Sequence, residues 1–78
     1  MEWKKVKVSA GSKLFKNHRF TFMHKGTNYR IEIDEFSDGA CTGHGEHSTD
    51  KNSVIEAVSA PSLEKTLQLV ISKIESRG

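Results

Sequence analysis

Apolar and polar residues alternate through most of this chain, and the period lengthens to that of a helix only near the C-terminus. In "WKKVKV", Val6 and Val8 fall on one side of an extended backbone and Lys5 and Lys7 on the other, predicting a strand near 4–9. "SAGSKLFKN" breaks the pattern with Gly11, Ser12 and Asn17. "RFTFMH" resumes it with Phe20 and Phe22 on one face, a strand near 19–24. "KGTN" supplies turn residues, and "YRIEIDEF" sends Tyr29, Ile31 and Ile33 inward along a strand near 29–36. Two alternating runs around a Gly/Asn-containing loop read as a β-hairpin. After the turn residues "SDG", "ACTGH" adds a strand near 39–44.

"SVIEAVSA" fits two periods. Its Val and Ile content suits a strand near 53–60, while Val54, Ile55 and Val58 also fall on one helical face. The stretch is short and ends at Pro61, which favours the strand. Beyond it, Leu63, Leu67, Val70, Ile71 and Ile74 form one apolar stripe of a helix near 62–76. Ser62 is placed to cap that helix, Glu64 lies in its first turn, and Lys73 and Arg77 lie near its C-terminal end. The stripe needs an apolar sheet face, which Phe20, Phe22, Ile31 and Ile33 provide. The expected fold is a single α+β domain over residues 1–78. It is an antiparallel meander of about four or five strands with one C-terminal amphipathic helix on one face.

Size limits what such a domain can do. Seventy-eight residues with 35% apolar content make one small core, and cores of this size supply roughly 3–5 kcal/mol unaided. Cys41 is the single cysteine and closes no internal disulfide. With no signal peptide and no membrane-length apolar run, the expectation is a soluble cytoplasmic protein with no membrane partner.

The net charge of +2 hides an asymmetry. Residues 1–30 carry Lys4, Lys5, Lys7, Lys13, Lys16, Arg19, Lys25 and Arg30 against Glu2, whereas residues 31–78 carry four basic and nine acidic side chains. Either the first half meets an anionic partner or the two halves neutralise one another. Mutual neutralisation is the simpler outcome in a compact domain. If the eight basic residues share one surface, they form a nucleic-acid site, with Trp3, Phe15 and Tyr29 as stacking groups.

"GACTGHGEHSTD", residues 39–50, gathers the most reactive residue types. Cys41, His44 and His47 supply three zinc-type ligands, with His18, His24 or Asp50 as a fourth. Their spacing matches no paired zinc motif, and on a strand His44 points away from Cys41 and His47. "HGE" lacks the P-C-x-x-C partner of zinc deaminases, "HGEH" is not H-E-x-x-H, and the glycines match no phosphate loop. Gly39, Gly43 and Gly45 read more simply as turn or close-approach positions.

The leading expectation is therefore a non-enzymatic interaction module without a cofactor. It binds protein or itself, with Trp3, Met23 and Leu69 as candidate interface residues. Nucleic-acid binding is the alternative, and Cys/His metal binding a lesser one. A hairpin, a third strand and then "SLEKTLQLVISKI", over residues 20–75, also resembles HicB-type antitoxins, whose sheet precedes a Ser/Thr-capped, Glu-rich helix. That resemblance implies a protein partner or a nucleic acid. This chain lacks the Pro- and Gly-Cys-containing segment typical of that family.

Overall fold

The computed structural model describes residues 2–47 and 54–77. Four strands follow in chain order, β1 (Phe15–His24), β2 (Thr27–Phe36), β3 (Cys41–His47) and β4 (Val54–Ala60), and then one helix, α1 (Leu63–Arg77). The strands form one antiparallel sheet in the order β1-β2-β3-β4, so β1 and β4 are its edges. The α+β meander expected from the alternation is the fold observed. The expected ranges 39–44 and 53–60 correspond to β3 and β4; of the latter, Ser53 lies outside the described residues.

The β1–β2 hairpin turns in two residues, Lys25 (φ 52°) and Gly26 (φ 78°), and His24 pairs with Thr27 across the turn. Two successive positive φ values give the turn whose twist matches that of the strands. The pairing continues without interruption to Phe15 opposite Phe36. β1 thus begins four residues before the start expected at 19, and Phe15, Lys16 and Asn17 belong to the sheet.

Residues 4–9 are not a strand. Trp3–Lys5 form a single 3-10 turn, held by hydrogen bonds from the Lys5 N–H to the Glu2 carbonyl and the Val6 N–H to the Trp3 carbonyl. The alternation of Val6 and Val8 with Lys5 and Lys7 is present but pairs with no strand. Lys4 is drawn instead to Glu35 of β2, and a turn at Gly11 (φ 85°) reverses the chain before β1. Alternation records a two-faced chain, and it needs an adjacent edge to become a strand.

The core lies on one face of the sheet, beneath α1. Ile31, Ile33, Cys41, Ile55, Val70 and Ile74 are at most 2% exposed, with Phe20, Phe22, Tyr29, Val58, Leu63, Leu67 and Ile71 packed around them. All five expected stripe residues face the sheet, joined by Thr66, which is completely buried. Ser62 caps the helix as expected. Its hydroxyl accepts the Lys65 N–H (3.1 Å), and its carbonyl accepts the Thr66 hydroxyl (2.8 Å).

β4 explains the double periodicity of "SVIEAVSA". Gly43 pairs with Val58 and Gly45 with Ile55, so two steps along β3 match three along β4. The additional residue forms a bulge at Glu56–Ala57, both exposed. Ile55 and Val58 therefore share the core face at a spacing of three, which resembles a helical period although the element is a strand.

Candidate interaction surface

The Cys/His segment is placed by β3. Cys41, Gly43, Gly45 and His47 face the core side, and His44 points to the helix-free face, where it stands opposite Glu32. Cys41 and His47 are six residues apart on an extended strand, roughly 20 Å at about 3.3 Å per residue. Cys41 is 1% exposed and its thiol points to the Gly39 carbonyl at 3.6 Å. Burial, reinforced by the nearby Glu35 carboxylate, pushes that thiol's pKa up. His47 packs edge-on against Tyr29, with ring centroids 5.5 Å apart. Among the described residues no group of three or more His, Cys, Asp or Glu side chains is arranged to hold a metal ion. Asp50, considered as a fourth ligand, lies outside them. Gly43 and Gly45 are strand positions that let α1 approach β3 closely, and Gly39 (φ 96°) belongs to the β2–β3 turn.

The eight basic residues do not act as one group. Lys4 Nζ lies 2.8 Å from Glu35, which His18 also contacts at 2.9 Å. The bonds from Lys4 and then His18 hold the Glu35 carboxyl below its ordinary pKa, and the bond to Glu35 raises that of Lys4. On the helix-free face Arg30 meets Glu46 at 2.6 Å and Arg19 meets Glu32 at 3.5 Å, while Asn17 donates to Asp34 at 2.8 Å. The basic first half is thus partly neutralised across neighbouring strands by the acidic second half. Lys25 sits at the hairpin turn, nine residues along from Lys16. Tyr29, expected as a stacking group, is half-buried against the core.

Lys5, Lys7, Lys13 and Lys16 differ. Among the described residues none of them is paired with a carboxylate. They accompany an apolar surface formed by the N-terminal arm, residues 2–14, and the start of β1. Val6 (49% exposed), Val8 (47%), Leu14 (37%) and Phe15 (47%) are four of the six large apolar side chains most open to solvent among the described residues. Val6, Val8, Lys13, Leu14, Phe36 and Asp38 line one shallow hollow of about 390 Å³, Lys13 and Asp38 being its two charged residues. Trp3, Val6, Leu14, Phe15 and Lys16 line another of about 410 Å³. Val6 and Leu14 border both, so the two hollows form one continuous surface. Phe15 and Phe36 pack together at its margin, with ring centroids 5.2 Å apart.

The three residues expected at an interface do not meet. Trp3 belongs to this surface. Met23, 66% exposed, is eight residues along β1 from Phe15 on the helix-free face, roughly 26 Å away at strand spacing. Leu69, 39% exposed, is on α1, across the sheet from Met23. Val6 and Val8 go unread as surface residues because their alternation predicts a strand, and Leu14 because it falls in the break between two predicted strands.

Comparison with protein-family models, curated proteins and solved structures finds no match to this chain. The resemblance of residues 20–75 to HicB-type antitoxins therefore rests on the order of elements alone. Among the described residues, no helix is long and apolar enough to cross a membrane.

Proposed function

We propose that this chain is a non-enzymatic protein-binding module, and that it binds an acidic, partly apolar partner on the surface formed by its N-terminal arm and the start of β1. One observation carries the reading. Exposed Val6, Val8, Leu14 and Phe15 share a continuous surface with lysines that have no acidic partner among the described residues, whereas Lys4, Arg19 and Arg30 are paired. An exposed apolar patch with a polar rim is a common form of interaction site. Like charge on both copies opposes self-association through this patch, so a second protein of opposite sign is the better fit.

A second reading, nucleic acid at the same lysines, is supported by their lack of partners and by the exposed ring of Phe15. The aliphatic majority of the patch favours protein. The test is calorimetric titration with blocked ten-residue peptides alternating glutamate with valine, leucine or phenylalanine, and in parallel with a ten-nucleotide single strand. Peptide binding that is lost in a Val6→Ser/Leu14→Ser variant and in a Lys13→Glu/Lys16→Glu variant supports the module. Binding of the oligonucleotide alone, weakening steeply with salt, replaces it with the second reading. No binding to any of the probes overturns both.

A further inference from the structure

The hairpin turn determines which backbone groups of β1 are free. A two-residue turn closes on a hydrogen-bonded pair, here His24 and Thr27, and bonded pairs then recur at every second residue. His24, Phe22, Phe20, His18 and Lys16 are therefore bonded to β2. Phe15, Asn17, Arg19, Thr21 and Met23 turn their N–H and C=O groups outward from the sheet, and β1 is an edge. The far side of β2 agrees with this phase, because the Phe36 N–H bonds to the Ala40 carbonyl at 2.9 Å, as an even-numbered residue of β2 should.

Two further observations bear on the same edge. On the core face, α1 packs chiefly over β3 and β4, and Phe20 and Phe22 of β1 are left half-buried. Phe15–Lys25 also contains Lys16, Arg19 and Lys25 with no acidic residue at all. Arg19 is 77% exposed despite Glu32. A second copy of β1 would bring like charges together, whereas an acidic strand would not.

Resting on the protein-binding reading above, we propose that the partner adds an extended segment to the sheet along β1. The segment alternates, with apolar side chains on the core face over Phe20 and Phe22 and carboxylates on the helix-free face within reach of Arg19. Its path continues past Phe15 onto the hollow lined by Trp3, Val6 and Leu14. Main-chain bonds to the five outward-facing residues supply affinity, and the alternation supplies selectivity. The competing account is that basic residues on β1 only guard an exposed edge against aggregation.

The experiment uses the blocked peptide alternating glutamate with valine and two N-methylated versions of it. One version is methylated at every odd position and the other at every even position. In an added strand only one of these sets faces β1. The expected result is that one methylated peptide loses binding at least tenfold while the other retains it. Binding of the parent peptide should also slow amide exchange at Asn17, Arg19, Thr21 and Met23 and leave Phe20 and Phe22 unchanged. Equal binding of both methylated peptides, with no protection of those four amides, overturns strand addition while leaving the patch reading intact. Failure of the parent peptide to bind, on a chain whose amide spectrum shows it folded, overturns both.

Discussion

Gly43 of β3 lies directly beneath Thr66 of α1: a methyl group at position 43 would stand 2.8 Å from Thr66 Cγ2, 3.1 Å from Ile33 Cγ1 and 3.2 Å from Val70 Cγ2. All three neighbours are completely buried and have little room to retreat. Alanine in a strand ordinarily outperforms glycine, so the crowding decides the sign here. Gly43→Ala is expected to destabilise the fold by about 1–3 kcal/mol. Gly45→Ala, whose nearest contacts are 3.4–3.5 Å, should cost distinctly less. Urea denaturation of the two variants side by side checks this, and a more stable Gly43→Ala protein would contradict the packing described.

Glu35 makes stability depend on pH in a defined direction. Its carboxyl is held below the ordinary value by Lys4 and His18, so the folded state favours the charged form. That contribution is present above the unfolded pKa and is lost as pH falls through the depressed folded value. The native chain should therefore lose more stability between pH 6 and pH 3 than a Glu35→Gln variant does. Lys4 has the opposite sign at the other extreme: its raised pKa means that its contribution disappears as pH rises beyond the ordinary lysine value. Trp3 is the single tryptophan and adjoins Lys4, so its fluorescence should report release of the arm in Glu35→Gln.

Cys41 should behave as a protected thiol. Burial raises its pKa, so above the ordinary thiol value the unfolded chain loses this proton first and folding weakens as pH rises. A disulfide-exchange reagent at pH 8 should label the native protein far more slowly than the urea-unfolded one. Rapid native labelling would mean that the α1 side of the core opens readily.

The helix start is expected to depend on one hydroxyl. Ser62→Ala removes the acceptor of the Lys65 N–H, and such caps are worth about 1 kcal/mol. Ser62→Asp should retain most of the stability, because a carboxylate at the same position accepts the same bond. Thermal melts of the two variants separate a capping role from a merely polar one.

The alternating and helical periods were sufficient to read the sheet, the hairpin and the stripe Leu63–Ile74 from the residues. They failed where a neighbour decides the outcome. Val6 and Val8 alternate as a strand would, yet the Lys4–Glu35 contact carries the arm elsewhere, and no local pattern encodes a partner 31 residues away. The candidate surface was legible as charge but not as shape. Lys5, Lys7, Lys13 and Lys16 look the same in the sequence as Arg19 and Arg30, and only the strand register shows which cations meet a glutamate. "GACTGHGEH" looked like chemistry for a related reason, since small residues beneath a helix and ligands around a metal draw on the same short, glycine-rich vocabulary.

The bulge at Glu56–Ala57 bears on where the sheet can be extended. It interrupts the second edge of the sheet, on the strand opposite β1, and leaves Glu56 projecting with 90% of its side chain exposed. Distorted, charged edges are poor templates for further strands. Strand addition to this sheet is therefore expected along β1 and disfavoured along β4, which leaves two copies no route to join through their β4 edges.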